Sequence, residues 1–192
     1  MSREIVFIGF GSNLGDRLDF CDRAVTLLSL LPATQVTAVS SLYETEPVND
    51  AGNPGSGWFL NGVVQIETEI APNNLLEVCR EIEKALGRNQ DRRDGPRTLD
   101  LDLLFYGTRI INEPALVIPH PRLYLRRFVL TPIVELAPDW CHPVLKRTVK
   151  DLLAHLADEA QVRRLAPAPN SRYGSRPTCK TSDAQAPANN HV

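Results

Sequence analysis

The sequence predicts an α+β fold in which one antiparallel sheet carries two helices on one face. Four stretches have patterns typical of strands, and two stretches between them repeat apolar residues at helical spacing. Their order along the chain is strand, helix, strand, strand, helix, strand. This βαββαβ order is that of the ferredoxin-like fold.

The first half of the chain supplies a strand, a helix and a second strand. Residues 4–10 (EIVFIGF) are predicted to form a strand, and the loop GSNLGD follows them. Apolar residues at helical spacing predict a helix from Arg17 to Leu31, with Asp16 as its N-cap. Alternation resumes over residues 35–45, which predicts the next strand.

The second half completes this core. Residues 49–57 are small or turn-forming and predict a loop, and the stretch that follows them, 58–69, alternates as a strand. Pro72 opens a second helical pattern that Gly87 ends. The fourth strand is predicted over residues 98–106, where alternation returns.

The rest of the chain is expected to add helices and a tail. Helical patterns at residues 126–137 and 148–157 are suited to covering the open face of the sheet. From residue 166 the sequence loses apolar periodicity and becomes rich in Pro, Ser, Ala and Asn, which predicts disorder. The expected organisation is one domain over residues 1–165 and a disordered tail over 166–192.

Composition narrows the classes of function. The 192 residues carry 21 Lys and Arg against 23 Asp and Glu, so the net charge of −2 disfavours a protein that binds nucleic acid through bulk charge. No apolar run approaches the roughly 18–20 residues of a membrane span, and no signal peptide is expected. The four cysteines form no C-x-x-C pair, which indicates free thiols and a cytoplasmic location.

Two aspartates interrupt the fourth predicted strand, within the run GPRTLDLDLLFYG at 95–107. Alternation puts Asp100 and Asp102 on one face, about 6–7 Å apart along the strand. The same alternation puts four apolar residues on the other face: Leu99, Leu101, Leu103 and Phe105. Because like charges at that distance repel, a cation is expected between the two carboxylates.

Arginines surround the aspartates. The stretch GRNQDRRDGPR places Arg88, Arg92, Arg93 and Arg97 shortly before the strand. Arginine suits phosphate oxygens, and paired carboxylates suit Mg²⁺, so the set indicates a metal–polyphosphate site. A surface cluster of ion pairs is the alternative. The loop GFGSNLG at 9–15 fits a tight turn better than a phosphate-binding loop, because it lacks the dinucleotide and Walker spacings.

Together these segments resemble the 6-hydroxymethyl-7,8-dihydropterin pyrophosphokinases of folate biosynthesis. The matching stretches occur in order over residues 4 to about 160: GSNLGD, SSLYETEPV, FLNGVVQIET, LGR, GPRTLDLDLLFYG, IPHPRL and RFVLTPIVELAPD. The resemblance implies an enzyme that transfers pyrophosphate from ATP to the pterin hydroxymethyl group and releases AMP. Its substrates would be small molecules. With the composition above, no nucleic-acid or membrane partner is expected, and a monomer is expected.

The resemblance implies roles for residues that contact ATP and metal. Asp100 and Asp102 would bind two Mg²⁺ ions that bridge the triphosphate, and the metal charge would offset the repulsion between the two carboxylates. Three arginines would balance charge on the transferred group: Arg88, Arg97 and Arg126. Glu83, Arg88, His120 and Arg126 match positions that contact ATP, and Leu103 would lie beside the adenine.

On the pterin side, the resemblance implies a flat ring held between aromatic faces. Phe59 and Phe128 match the stacking positions, and Asn61 offers a carboxamide to the ring edge. The backbone at Thr45 and Val48 would read the same edge, and Asp100 would lie near the hydroxymethyl group. Taken singly, each aromatic residue also fits plain core packing.

Several positions depart from the family pattern, among them Asp94, Glu46 and Pro121, and two other functions fit the same fold. Asp94 stands where the best-known members have tryptophan, and Arg92 or Arg93 would replace a loop arginine. The alternatives are a catalytically weak pterin- or nucleotide-binding protein and an RNA-binding module. The first would not need the full arginine and aspartate set, and the second lacks paired aromatic strand motifs.

Overall fold

The computed structural model describes residues 3–46, 57–88 and 97–166. These ranges contain eight strands and four α-helices, with a short 3₁₀ turn at Leu123–Leu125. The elements in chain order are β1 (Glu4–Ser12), α1 (Arg17–Ser29), β2 (Thr34–Val39), β3 (Leu42–Thr45), β4 (Phe59–Thr68), α2 (Pro72–Ala85), β5 (Asp100–Tyr106), β6 (Ile111–Glu113), β7 (Leu116–Ile118), α3 (Arg127–Leu136), α4 (Val149–Ala154) and β8 (Val162–Ala166).

Six strands form one antiparallel sheet. The strand order is β5-β1-β4-β3-β8, and β2 also pairs with β4. The predicted α+β class and ferredoxin-like core are therefore confirmed. Two features lie outside that prediction: a hairpin of β6 and β7, and the edge strand β8.

Helices α1 and α2 cover one face of the sheet, called here the first face. Asp16 caps α1 as predicted, because its carboxylate accepts a hydrogen bond from the backbone N–H of Asp19. Pro72 begins α2, and Gly87 follows its end with a φ of 86° that favours glycine. The core on this face includes Ile8, Val25, Leu28, Leu75 and Leu101.

Helices α3 and α4 cover the opposite side, called here the second face. Their apolar residues pack with Phe7, Val63 and Leu104 to form a second core, which includes Leu130 and Ile133. The two predicted C-terminal helices therefore exist and cover the open face, as expected. None of the helices in the described ranges is long and apolar enough to cross a membrane.

The strand predicted over residues 35–45 is two strands, β2 and β3, that both pair with β4. Ser40 and Ser41 separate them. The Ser40 hydroxyl oxygen accepts a hydrogen bond from the Val63 N–H, and the Ser41 N–H donates to the Glu135 carboxylate of α3. These polar contacts interrupt the regular strand, and the alternation of apolar residues gives no sign of them.

A bulge in β5 reverses the predicted alternation. Phe7 pairs with Phe105 and Ile8 with Leu103, so Leu104 is an extra residue in the strand. The predicted placement of Phe105 with Leu99, Leu101 and Leu103 is wrong, because Phe105 lies in the second-face core with Leu104. Before the bulge, the predicted alternation holds.

The predicted boundary between the domain and the tail falls within strand β8. Strand β8 extends to Ala166, which pairs with Leu42, so the first residue of the predicted tail belongs to the domain. The rest of the predicted tail lies outside the described residues. A truncation meant to keep the domain should therefore end after Ala166.

His142 should make the free energy of unfolding depend on pH. It is buried, and its Nδ1 accepts hydrogen bonds from the N–H groups of Val144 and Leu145 at 3.2 Å each. Burial lowers its pKa, so below about pH 6.5 the unfolded chain takes up a proton that the folded chain resists.

Below pH 6.5, protonation of His142 should lower the free energy of unfolding of the wild type by up to about 1.4 kcal/mol per pH unit. His142→Asn keeps an acceptor oxygen but does not titrate, so its stability should fall less between pH 7 and 5.5. Urea unfolding at both pH values measures this. Equal pH slopes for variant and wild type would show that His142 is not responsible.

Candidate active site

The candidate site lies on the second face, where β5, β1 and β4 run side by side. Gly11 pairs with Asp100 on one side and with Asn61 on the other. Directly opposite residues of antiparallel strands share a face, so both side chains project from the second face with only a glycine between them. Asp102 pairs with Gly9 and lies on the same face. The predicted sharing of one face by the two aspartates is confirmed.

Asp100 lies at the centre of a cluster of ion pairs. Its Oδ1 accepts from Arg88 Nη1 at 2.5 Å and its Oδ2 accepts from Arg97 Nη1 at 2.7 Å. All three side chains are about one-quarter exposed or less, at 28%, 20% and 27%. Two of the arginines that precede the strand in the sequence, Arg88 and Arg97, therefore flank this carboxylate in space.

Glu83 joins the cluster from the end of α2. It forms an ion pair with Arg88, and its Oε1 accepts from the backbone N–H of Leu101 at 2.7 Å. Burial raises its pKa to about 7, and the Asp100 and Asp102 carboxylates add to the rise. The shared guanidinium of Arg88 therefore connects the helix end to the aspartate strand.

The surroundings of Asp102 disfavour its ionised form. Burial raises its pKa to about 6, and the nearby Asp100 carboxylate raises it further, against the opposing effect of Arg126. At neutral pH the side chain is ionised in surroundings that disfavour its charge. Such a carboxylate attracts a cation.

Asn13 fixes the backbone of Arg97, and the sequence reasoning missed this role. The Asn13 N–H donates to the Arg97 carbonyl at 3.1 Å, and the Arg97 N–H donates to Asn13 Oδ1 at 2.6 Å. The sequence predicts only a tight turn for the loop GFGSNLG. Its asparagine instead holds the start of the aspartate strand beside the end of β1, a long-range contact without a local sequence signal.

His120 approaches the site because of the bulge in β5. The carbonyl of the extra residue, Leu104, accepts a hydrogen bond from the His120 N–H at 3.0 Å. His120 Nδ1 accepts from the Arg122 N–H at 3.2 Å, which leaves the ring proton on Nε2. Burial lowers the pKa of His120 to about 4, and the Arg126 and Arg122 charges lower it further. The imidazole is therefore a neutral donor at pH 7.

The predicted pterin residues that the structure describes lie on the second face beside the aspartates. Asn61 is buried, and its Nδ2 donates to Thr45 Oγ1 at 2.6 Å, which fixes the orientation of the carboxamide. Phe59 pairs with Thr45 in the sheet and is only partly buried. Phe128 is the second residue of α3 and is also partly buried, and the guanidinium of Arg126 lies 5.4 Å from the centroid of its ring.

The side chain of one predicted residue is not brought to the site, and four other predicted residues are not described by the structure. The Leu103 side chain is buried in the first-face core, on the side of the sheet opposite Asp102, so only its backbone faces the predicted ligand side. Val48, Arg92, Arg93 and Asp94 lie outside the described residues.

The two carboxylates fit Mg²⁺ in number and in chemistry. Within the described ranges, no group of three or more His, Cys, Asp or Glu residues is arranged to hold a metal ion. A site built only from protein ligands is therefore absent there. Mg²⁺ commonly takes one or two carboxylates together with substrate phosphates, which matches the aspartate pair beside the arginines.

Gly11 should be needed for the site. A Cβ at this position would lie 2.2 Å from Asn61 Oδ1, so Gly11→Ala must displace the carboxamide. We expect a pterin KM raised by roughly tenfold, as for a lost buried hydrogen-bonding group, with little change in the KM for ATP. Steady-state kinetics with each substrate varied in turn measures this. A normal pterin KM would mean that Asn61 does not contact the pterin.

Comparison with known proteins gives one consistent result. The family model for 7,8-dihydro-6-hydroxymethylpterin-pyrophosphokinase (HPPK) matches residues 7–138. The chain is 46% identical over 132 residues to the 2-amino-4-hydroxy-6-hydroxymethyldihydropteridine pyrophosphokinase of Bacillus subtilis (strain 168), which covers 69% of this chain and 77% of that protein. The protein of the same name from Methylorubrum extorquens is 42% identical over 159 residues, covering 83% of this chain and 97% of the relative.

Longer proteins also contain this domain. The folic acid synthesis protein fol1 of Schizosaccharomyces pombe is 38% identical over 81% of this chain, which spans 21% of that protein. A crystal structure of HPPK-DHPS in complex with substrates has the same fold, with a TM-score of 0.62 at 13% identity. The match covers 80% of this chain and 43% of that one. From the family model and these relatives, the chain belongs to the 7,8-dihydro-6-hydroxymethylpterin-pyrophosphokinase family.

Proposed function

We propose that the protein transfers the pyrophosphoryl group of ATP to the hydroxymethyl group of 6-hydroxymethyl-7,8-dihydropterin, a step of folate biosynthesis. The products are AMP and the pterin diphosphate. The observation that carries this proposal is the convergence of Arg88, Arg97, Asp100 and Asp102 beside the Asn61 carboxamide on one face of the sheet. Family membership supports the same reaction.

In this reaction the hydroxymethyl oxygen attacks the β-phosphorus in line, and the bond from that phosphorus to the α,β-bridging oxygen breaks. The hydroxyl proton is lost, and the bridging oxygen leaves with AMP. Charge therefore accumulates on the transferred group. Arg88 and Arg97 lie beside Asp100, where their guanidinium groups can stabilise that charge.

Asp100 and Asp102 would hold two Mg²⁺ ions. When bound, these ions would neutralise triphosphate charge and lower the pKa of the pterin hydroxyl. The raised pKa of Asp102 supports this assignment, because a nearby cation would offset the repulsion from Asp100.

The remaining residues bind and orient the substrates. Phe59 and Phe128 would stack on the pterin, and Asn61, oriented by Thr45, would recognise its edge. On the nucleotide side, the Nε2–H of His120 would donate a hydrogen bond to ATP. The guanidinium of Arg126, which stays protonated, would add positive charge. Glu83 would act by holding Arg88 in place.

The decisive experiment is a coupled assay with purified protein, ATP, MgCl₂ and the hydroxymethyl-dihydropterin. We expect AMP that appears only when both substrates are present and that disappears with EDTA. Asp100→Asn serves as the inactive control. Formation of ADP would indicate transfer of a single phosphoryl group instead, and absence of any nucleotide product would favour a protein that only binds its ligand.

We also propose that the protein acts as a monomer in the cytoplasm. Three described cysteines have free thiols, Cys21, Cys79 and Cys141, which suits a reducing compartment. Sedimentation equilibrium should give a mass near 21.3 kDa with or without substrates. A mass twice as large would contradict the monomer.

A further inference from the structure

Strand β8 lies against the pterin end of the sheet. Val162 pairs with Thr45, and Thr45 pairs with Phe59 on its other side, so the three residues form one row across the sheet. Two of them belong to the proposed pterin site. The geometry at the ends of β3 and β4 therefore depends on what holds this row.

Four residues meet behind that row, on the first face: Arg17, Glu44, Trp58 and Arg163, called here the rear cluster. The guanidinium of Arg163 lies 4.9 Å from the centroid of the Trp58 ring. Arg17 Nη1 donates to the Trp58 carbonyl at 2.6 Å, and its Nη2 donates to Glu44 Oε1 at 3.0 Å. The cluster thus joins α1, β3, β8 and the residue that precedes Phe59.

A second contact joins β8 to the end of β3. The Glu46 N–H donates to the Gln161 carbonyl at 3.1 Å, and the Gln161 N–H donates to Glu46 Oε2 at 3.2 Å. Glu46 directly follows Thr45, and Trp58 directly precedes Phe59. Both strand ends that carry pterin residues are therefore attached to the same C-terminal segment.

We propose that Arg163, through Trp58, is a positioning residue for pterin binding. The inference rests on the proposed function and extends it to a strand that carries none of the predicted site residues. Arg163 contacts no reacting atom in this scheme. It holds Trp58 behind the strand, and Trp58 in turn fixes where Phe59 and Thr45 lie on the second face. A small displacement of such a row weakens binding of a rigid ring.

The test replaces Arg163 by methionine, which keeps the length of the side chain and removes its charge. We expect the KM for the pterin to rise roughly two- to fivefold, the range that an exposed cation–π contact supports, with the KM for ATP unchanged. Arg163→Lys keeps a cation over the ring and should stay near the wild-type value. Rescue by lysine separates the contact from a general loss of packing.

Arg164→Met is the matched control. Arg164 is the next residue of the same strand, but its Nε donates to Ser41 Oγ, at the other end of β3 from Thr45. It should leave the pterin KM unchanged. An equal rise in Arg164→Met and Arg163→Met would overturn the proposal, because any weakening of the edge strand would then suffice.

A double-mutant cycle tests the route through Trp58. In a Trp58→Leu background, Arg163→Met should raise the pterin KM no further. Additive effects, or a wild-type pterin KM in Arg163→Met, would overturn the positioning role while leaving the proposed function intact. Absence of AMP from the wild type would instead overturn the proposed function, and this inference with it.

Discussion

Asp102→Asn is expected to abolish turnover and at the same time to stabilise the metal-free protein. Loss of a carboxylate that would hold Mg²⁺ should lower the rate of AMP formation by roughly 10²–10³-fold or more. The stabilisation has a separate cause. Burial and the Asp100 carboxylate raise the pKa of Asp102 to about 6, so the ionised form is disfavoured in the folded protein.

The sign of the pH dependence follows from that raised pKa. Between about pH 4 and 6 the folded state retains a proton that the unfolded chain releases, so stability declines as the pH rises through this window. Above pH 6 the whole penalty applies. Asp102→Asn removes it, and we expect the free energy of unfolding at pH 7.5 to increase by about 1–3 kcal/mol.

Urea unfolding in EDTA at pH 7.5 and pH 4 measures the gain, which should vanish at the lower pH. Asp100→Asn is the matched control. It should also be inactive but should gain no stability, because Asp100 accepts hydrogen bonds from Arg88 and Arg97 that asparagine cannot replace as an anion. Full activity of Asp102→Asn at saturating Mg²⁺ would refute the metal assignment.

The sequence predicts the fold well wherever periodicity is regular. Local chemistry within a few residues predicts both core helices, the Asp16 cap of α1 and the Gly87 that follows α2. The failures are long-range. The break at Ser40 and Ser41 depends on Glu135 of α3, and β8 forms only because β3 offers it an edge. Neither partner is visible in the local pattern.

The candidate site shows the same division. Alternation alone puts Asp100 and Asp102 on one face, and the arginines that pair with Asp100 lie shortly before both aspartates in the sequence. Alternation cannot, however, distinguish the environments of the two aspartates. Asp100 is paired with Arg88 and Arg97, whereas burial dominates the environment of Asp102. Periodicity also gives no sign of the bulge at Leu104, although the Leu104 carbonyl accepts a hydrogen bond from the His120 N–H.

The second large effect is expected for Arg88→Ala and Arg97→Ala. If their guanidinium groups stabilise charge that develops on the transferred group, each variant should lose about 10²–10³-fold in kcat, with a smaller change in the KM for ATP. Their effects on stability should differ. Arg88 is paired with both Glu83 and Asp100, whereas loss of Arg97 leaves Asp100 paired with Arg88.

Arg88→Ala leaves the Glu83 carboxylate buried beside Asp100 and Asp102 without its cation. Protonation of Glu83, whose pKa is already raised to about 7, limits the damage, so we expect a loss of about 1–3 kcal/mol in the free energy of unfolding at pH 7.5. Arg97→Ala should lose less. Urea unfolding of the two variants under the same conditions gives the comparison.

A double variant separates the structural role of Arg88 from its catalytic one. Glu83→Gln removes the buried charge that needs a partner, so Arg88→Ala combined with Glu83→Gln should recover most of the lost stability. Its kcat should remain as low as that of Arg88→Ala, because the glutamine supplies no positive charge to the phosphoryl oxygens. Recovery of kcat along with stability would mean that Arg88 only maintains the fold. A normal kcat in Arg88→Ala with a raised KM for ATP would assign it to ground-state binding of the nucleotide.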